Sequence, residues 1–567
     1  MTNKEVAGVL EEIALLLELA GENPFKARTY ANMARRLETW EEEVETLVDE
    51  GRLRDIPGLG DALESKITEL VTEGSLKYHE DLRKQFPESL FELFGIQGLG
   101  AKKIKALYDE LGIDSMAKLE TACKDGKVAD LKGFGKRTQD KILEGIEFAS
   151  TQSGQFRVDV AWAEADRLRD LLGGLKGVKR LEVAGSLRRC KELVKDIDVL
   201  VASGDPKPIM KAFVEAEGVV RVTGHGEKKS SVVLESGLNA DLRVVSDEEF
   251  AFALAYFTGS KEHNVVMRQR AKERGLKLNE YGLFKEDDTR INCKDEKALY
   301  KALGLPFIPP ELREDMGEDT LTKTPRLVTL EDLRGTVHNH STYSDGRASL
   351  EEMAKAAKKL GYEYFGIADH SQTASYAGGL TVERVQSQWE EIDRLNKKLK
   401  PFRILKGIES DILADGSLDY DDDILAQFDY VVASVHFKMN MTEKEATERL
   451  IKAVENPHTT ILGHPTTRLL LQREGYDINW DALFDAAAAN RTAIEINANP
   501  RRLDADWRVI HRGREKGVMF CICPDGHRPE GLEHMRYGVG TARKGGLTAK
   551  EVLNTLDADA FIKWKKG

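Results

Sequence analysis

From Leu333 onward, short apolar runs alternate with amphipathic stretches. Seven runs, LRGTVHNH, YEYFGIADH, FRILKGIESD, FDYVVASVH, TTILGH, TAIEIN and GVMFCICPDGH, close on polar residues. Helical patterns such as SLEEMAKAAKKLGY and TEKEATERLIKAVEN lie between them. Strand-length runs alternating with helices predict a parallel sheet. Polar side chains gathered at the C-terminal ends of strands are the habit of a β/α barrel. Upstream the pattern differs. Residues 1–150 read as helices broken by glycine turns, and residues 157–245 alternate helical and strand-like runs. Residues 246–315 are mixed and end in the proline-rich LPFIPPELRED, and residues 316–334 are polar and read as a surface linker. The expected whole is a multidomain α+β and α/β chain ending in a distorted (β/α)7 barrel.

The helical block contains a repeat: PGLGDALESKI from Pro57, QGLGAKKIKAL from Gln97 and KGFGKRTQDKI from Lys132. Each copy has a Gly-apolar-Gly turn (Gly58 and Gly60, Gly98 and Gly100, Gly133 and Gly135) followed by a basic helix. An apolar residue stands seven positions after the second glycine: Ile67, Leu107 and Ile142. The glycines permit a tight turn, and the helix N-terminus behind it offers unpaired N–H groups to an anion. Lys102, Lys103, Lys136 and Arg137 add a nonspecific attraction to phosphate. One copy would read equally well as a glycine-capped packing unit. Three copies with basic flanks, resembling the helix-hairpin-helix, predict a grip on DNA backbone.

In VAGSLRRCKELVKDIDVLV, Asp196 and Asp198 stand two apart on an apolar strand, so both carboxylates share one face. Two close like charges are unfavourable without a cation between them, and apolar flanks make a pair of freely solvated acids a weak alternative. A carboxylate pair holding two Mg²⁺ (or Mn²⁺) ions suits phosphoryl transfer. Gly185-Ser186 can present a backbone N–H and a hydroxyl to a phosphate, with Arg189 close behind. NADLRVV offers Asp241 as a third carboxylate on a neighbouring strand.

The GS-x-RR…D-x-D pattern resembles the nucleotidyltransferase palm of family X DNA polymerases, the group containing DNA polymerase beta. YFTGSKEHNVVMRQRAKERGLKLNEYGLF, from Tyr256 to Phe284, resembles that family's thumb. The resemblance implies roles. Asp196, Asp198 and Asp241 would hold the metals, and Asp241 would take the proton of the primer 3′-hydroxyl. Ser186 and Arg189 would bind the triphosphate; Tyr256, Phe257 and Gly259 would flank the incoming sugar. Asn264 would meet the incoming base and Arg268 the template. In relatives with lyase activity a lysine after the first hairpin forms a Schiff base with abasic deoxyribose phosphate; the position is Lys66, with Lys26 and Tyr30 beside it. Lys66 reads equally as a phosphate contact. Two residues depart from the animal enzyme: Ala62 stands where it is basic, and Lys195 where it has glycine before the first aspartate.

The polar ends of the C-terminal runs supply His338, His340, Asp345, His370, Glu409, His436, His464, Asp525 and His527, six of the chain's twelve histidines. A lone histidine at a strand end is more often a satisfied core residue, but six would each need a buried partner. Imidazole with carboxylate suits two or three Zn²⁺, Mn²⁺ or Fe²⁺ ions. His338 and His340, two apart, are expected to share one strand face. The set resembles the PHP domain, named for polymerase and histidinol phosphatase, with glycine where alanine is commoner between Asp525 and His527. That implies a metal-dependent 3′→5′ exonuclease, 3′-phosphatase or abasic-site endonuclease. The resulting division is 1–90 lyase-like helical domain, 91–150 fingers-like domain, 151–245 palm, 246–315 thumb, 316–334 linker and 335–567 PHP domain.

Composition fits this picture. The 567 residues are 41% hydrophobic and 32% charged, as in a globular protein without an apolar run long enough for a membrane helix. The N-terminus lacks the basic segment and cleavage site of a signal peptide. Five scattered cysteines read as reduced thiols, with Cys521 and Cys523 buried on a strand. Cytoplasmic location, a monomer, and gapped or nicked DNA and dNTPs as partners are the expectations. Net charge of −13 argues against nucleic-acid binding only as a global sum, because metal-binding carboxylates inflate it.

Overall fold

The structure, a computed structural model, describes residues 1, 3–40, 42–96, 99–152 and 154–565. Gly98 of the second repeat lies outside the described residues. The chain divides into two units, residues 1–153 and 154–567.

The first unit is helical. Asn23 caps the helix Pro24–Thr39 by accepting from the Phe25 N–H, with proline in the first turn where its missing N–H costs nothing. In the first two repeats the second glycine is the N-cap: Gly60 precedes the helix Asp61–Glu73, and Gly100 precedes Ala101–Leu111. The third differs, because the helix Gly135–Gln152 begins on its second glycine. Ile67, Leu107 and Ile142 are all buried, which explains their common spacing: each anchors the helix behind its turn.

The second unit begins with a five-stranded sheet. Its strands are β1 (Arg180–Val183), β2 (Asp196–Ala202), β3 (Val219–His225), β4 (Lys229–Leu234) and β5 (Asn239–Val245), in the order β1-β2-β5-β4-β3. Only β2 and β5 run parallel. The helices Val158–Gly173 and Pro206–Val214 bury Leu168, Leu172, Ile209 and Phe213 with Ile197, Val199 and Val201 of β2. Period two therefore turns Asp196 and Asp198 away from this core. The helices Phe250–Thr258, Lys261–Lys272 and Glu296–Ala302 follow. Arg313, fully buried, donates to Glu296, which also receives Arg188.

The expected linker runs largely exposed and is anchored at a few points. Leu327, Val328 and Leu333 are buried; the Val328 N–H donates to the Leu547 carbonyl, and Glu318 pairs with His263 at 2.7 Å. Its polar letters hid a few apolar residues that suffice to anchor it.

The C-terminal strands are β6 (Gly335–Asn339), β7 (Tyr364–Ile367), β8 (Arg403–Leu405), β9 (Gly407–Asp411), β10 (Tyr430–Ser434), β11 (Ile461–Leu462), β12 (Ala493–Asn497) and β13 (Phe520–Cys523). They form two parallel sheets, β6-β7-β8 and β9-β10-β11-β12-β13. Parallel bridges Asn339–Gly526 and His370–Glu409 join the sheets at both seams, closing a barrel of seven runs in which FRILKGIESD is broken into β8 and β9. Among the described residues no helix is long and apolar enough to cross a membrane.

Two candidate catalytic centres

The first centre lies on the face of the five-stranded sheet opposite that core, where Leu200 and Ala202 are covered by the helix Phe250–Thr258 and Asp196 and Asp198 lie beyond its cover. The parallel register sets Asp196 opposite Asn239 and Asp198 opposite Asp241, so the three carboxylates collect at one edge. Burial, then the charges of Asp196 and Asp241, push the Asp198 carboxyl up to about 7; burial and Asp241 also raise Asp196. Such mutual repulsion is what a divalent cation relieves, so these residues fit the metals expected here. The turn at Gly185 packs directly over them: its φ is +66°, and a Cβ would stand 2.5 Å from Asp198 Oδ2. Glycine is required both by backbone sign and by this approach. Two residues not anticipated from sequence hold Asp241: the Ser231 hydroxyl donates to it at 2.6 Å and Lys229 Nζ lies 2.7 Å away. Both sit on β4 beside β5, where only the sheet order reveals them.

The expected nucleotide-contacting residues converge nearby, with some side chains already engaged. Arg189 donates to Glu314 at 2.9 Å and to the Thr258 carbonyl at 2.5 Å. A Cβ on Gly259 would meet Arg189 Nη1 at 3.2 Å. Tyr256 and Phe257 pack edge to face with centroids 5.1 Å apart, and Asn264 donates to the Tyr256 carbonyl at 2.7 Å. Tyr256, Asn264 and Arg268 line one pocket with Leu278 and Asn279. In the first unit, Gly58 (φ +80°), Gly133 (φ +90°) and Gly135 (φ +71°) adopt left-handed turns, with Lys102, Lys136 and Arg137 exposed. Lys66 lies 4.9 Å from the ring centre of Tyr78, which Lys26 approaches at 5.5 Å and Tyr30 stacks on at 6.2 Å. Tyr78, absent from the sequence expectation, is the hub of that group.

The second centre fills the barrel mouth. Glu409, the central residue of β9, stands in the middle: His338 Nε2 (3.1 Å), His370 Nδ1 (3.0 Å), His436 Nε2 (3.2 Å) and His464 Nε2 (3.1 Å) all face its carboxylate. Asp525 lies 3.3 Å from His340, and Asp345 lies 3.3 Å from His527 and 3.6 Å from His370. All nine expected residues are thus brought together. Burial opposes the charge of Glu409, yet His436, His338 and His370 hold it well below the usual carboxylate range. Reciprocally, burial disfavours the charged His338 and His370, but Glu495 and Glu409 raise the first and Glu409 and Asp345 the second. Within the cluster, five buried ring nitrogens make no well-aligned hydrogen bond among the described residues and meet at most a neighbouring carboxylate: His338 Nε2, both of His340, His370 Nδ1 and His464 Nδ1. Cations are the partners that such a donor set lacks, so the residues fit a metal cluster.

The route by which His338 and His340 converge differs from expectation. They do not share one face of a regular strand: β6 ends at Asn339, its register shifts after Thr336, and His338 has φ +60°. The bulged, left-handed backbone re-aims His338, and both rings enter the cluster with centroids 5.5 Å apart. Sequence reading also missed the residues that orient the ligands. Glu495 on β12 accepts from His338 Nδ1 and from the His464 N–H; Asp411 pairs with His436 Nδ1 at 2.5 Å. Asp369 accepts from Ser341, Ser344 and Gln388, tying down the loop after β6. Each lies in one of the seven apolar runs: Asp369 directly precedes His370, Asp411 follows Glu409 by two residues, and Glu495 has no candidate ligand in its run.

Clustered carboxylates under a tight glycine turn, and a second cluster of histidines around one glutamate, define a two-centre, metal-dependent enzyme of phosphate-ester chemistry. Comparison with known proteins agrees. Residues 253–314 match the DNA polymerase beta thumb, 336–499 the PHP domain, 1–76 a helix-hairpin-helix domain and 90–147 a SAM-like helix-hairpin-helix tandem. The chain is 41% identical to "DNA polymerase/3'-5' exonuclease PolX" of Bacillus subtilis over 570 residues, 99% of this chain and 100% of that protein. It is 25% identical to rat DNA polymerase lambda over 351 residues, 55% of this chain and 56% of that one. A protein of Thermoanaerobacter sp. named as a probable phosphatase is 27% identical over 230 residues, 38% of this chain and 89% of that protein. The chain belongs to the family X DNA polymerases that carry a C-terminal PHP domain.

Proposed function

We propose that the chain fills short gaps in damaged DNA with its palm and trims or cleans 3′ ends with its barrel. The observation that carries the first half is the register setting Asp198 opposite Asp241 beneath the Gly185 turn. Asp196, Asp198 and Asp241 would hold Mg²⁺ or Mn²⁺ there, which would supply charge neutralisation at the reacting phosphate. Ser186, Arg189 and the Gly185 turn bind the triphosphate of a dNTP. Tyr256, Phe257 and Gly259 border its sugar, Asn264 its base, and Arg268 the template strand. Asp241 takes the proton of the primer 3′-hydroxyl as the new oxygen–phosphorus bond forms and pyrophosphate leaves. The hairpin turns at Gly58, Gly60, Gly100, Gly133 and Gly135, with Lys102, grip the backbone of gapped or nicked DNA without reading sequence.

In the barrel, the nine residues centred on Glu409 would hold two or three Zn²⁺, Mn²⁺ or Fe²⁺ ions, which would supply water activation and charge neutralisation at a phosphate ester. Glu495 and Asp411 fix the rings of His338 and His436, as the partners of metal-bound imidazoles do. Asp345 and His527, the most exposed members, mark the side on which a DNA 3′ end enters. In the first unit, Lys66 packed on Tyr78 is the amine for a deoxyribose-phosphate lyase step.

One set of assays on the full chain tests these assignments. Asp198→Ala should abolish extension of a gapped primer and leave 3′-end hydrolysis; His340→Ala should do the reverse. Lys66→Ala should lose borohydride-trapped adducts with abasic DNA. Wild-type protein that extends no gapped template would remove the polymerase assignment.

A further inference from the structure

The helix Met535–Lys544 belongs to the barrel but ends against the nucleotide side of the palm. Its contact is close: a Cβ on Gly540 would stand 3.2 Å from Cys190 Sγ, in the turn that follows Arg189. Lys544, the last residue of this helix, is only 3% exposed. Its ammonium donates to the Glu314 carboxylate at 2.6 Å, to the Arg189 carbonyl at 2.9 Å and to the Glu311 carbonyl at 3.3 Å. The ring of Trp507 lies 4.6 Å from it. Neighbouring Arg543 donates to Glu311 at 2.7 Å and to the Val328 carbonyl at 3.0 Å. A buried lysine with all its protons directed at partners is a positioned charge rather than a solvated one.

What that charge faces is the informative part. Glu314 Oε1 accepts from Lys544 and also from Arg189 Nε. Lys191 stands 3.7 Å from its other oxygen. Arg189 is the guanidinium assigned above to the triphosphate, and Glu314 is its anionic competitor. Where Lys544 shares Glu314, that carboxylate is already balanced, and the excess positive charge of Arg189 and Lys191 remains for an incoming anion. Removing Lys544 would leave Glu314 to Arg189 and Lys191 alone, and would free the Arg189 carbonyl from its donor. In a site this buried, one unshared carboxylate weighs heavily on a neighbouring arginine.

We propose that Lys544 of the hydrolytic barrel is a positioning residue for the polymerase site, setting its affinity for the nucleotide triphosphate through Glu314 and Arg189. This rests on the assignment of Arg189 to the triphosphate. The two domains thereby share a charge network, and the barrel contributes to synthesis without touching substrate.

The experiment is single-nucleotide gap filling by the full chain with a dNTP titration. Lys544→Met should raise KM for the dNTP about tenfold, with kcat within about twofold, and leave 3′-end hydrolysis unchanged. Lys544→Arg, which keeps the cation, should stay near wild type. Glu314→Gln placed in the Lys544→Met background should bring KM back to within about threefold of wild type, a rescue that general damage would not allow. Should Lys544→Met not fold, Glu314→Gln alone decides, because freeing Arg189 should lower KM about threefold. An unchanged KM in folded Lys544→Met, no rescue by the second substitution, or parallel loss of kcat and hydrolysis would each overturn the proposal. Wild-type protein that extends but shows no change on Arg189→Ala would instead overturn the triphosphate assignment.

Discussion

At the scale of single residues, the candidate ligands were legible because their chemistry contradicts their surroundings. Asp196 and Asp198 interrupt an apolar strand, and six histidines close apolar runs, so each demanded a partner that sequence alone does not supply. The orienting residues were not legible for the opposite reason. Glu495 in TAIEIN looks like any polar strand position, and its meaning depends on His338, 157 residues away. Lys229 and Ser231 likewise gain meaning only from pairing with Asp241 across the sheet. Glu495 carries a prediction of its own. It accepts from His338 Nδ1 and fixes the His464 backbone, so Glu495→Gln should loosen two ligands while keeping shape and volume. Metal affinity at the barrel should fall by roughly 10–100-fold. Dialysis against a competing chelator, followed by metal analysis, reads this directly, and gap filling by the same protein should be unaffected. Full metal retention by the variant would show that Glu495 serves packing alone.

At the scale of elements, periodicity located most of the strands but not their irregularities. The seven C-terminal runs correspond to β6 through β13, yet nothing in FRILKGIESD announced its break into β8 and β9, nor did GTVHNH announce the bulge that turns His338. Both are decisions of barrel closure, where register must shift to bring the last strand beside the first. The polar composition of 316–334 matches its largely exposed course, but does not announce that Leu327, Val328 and Leu333 are buried and anchor it. The thumb yields a prediction at this scale. Glu296 opens its helix and is enclosed by Arg188 at 2.7 Å and Arg313 at 2.7 Å, with Arg313 fully buried. Glu296→Ala leaves two cations unpaired, one of them with no access to water, and should destabilise the fold by about 3–5 kcal/mol. Burial opposes ionisation of Glu296, but the arginines, Arg313 first, bring its carboxyl down to about 2 from an ordinary 4.5. A carboxyl lowered in the folded state stabilises above its unfolded value, so this contribution is full above pH 4.5 and disappears as pH falls through about 2. Denaturant titrations of wild type and Glu296→Ala from neutral to acid pH should therefore converge only at the acid end; a constant gap would refute the assignment.

At the scale of the whole molecule, the order of domains was readable and their interlocking was not. The bond from Lys544 to the Arg189 carbonyl joins residues 355 apart, and no local pattern encodes it. The barrel mouth poses a comparable problem of balance. Nine candidate ligands converge on it, with six imidazoles and three carboxylates inside a few ångströms, and among the described residues five of the cluster's ring nitrogens make no well-aligned hydrogen bond. Without cations, protons must balance the buried carboxylates, which is the sense in which Glu409 and Asp525 lie low while His338, His370 and His436 lie high. Metals binding the same nitrogens must displace those protons. Two consequences follow from one cause. Loading stripped protein with Mn²⁺ or Zn²⁺ should release protons, so calorimetric heats should differ between buffers of unlike ionisation enthalpy, and apparent affinity should rise with pH. Because the cations bind the folded barrel only, chelation should also lower its unfolding temperature, by an amount that grows with affinity as about 4 kcal/mol at a thousandfold excess over Kd. The helical unit of residues 1–153 contains none of the nine ligands, so a transition belonging to it should not move with the chelator. Scanning calorimetry of the full chain, with and without chelator, separates the two cases. Equal heats in the two buffers, or a barrel transition indifferent to chelation, would mean that the cluster is stable as an ion-paired network of its own and does not need the metals its geometry invites.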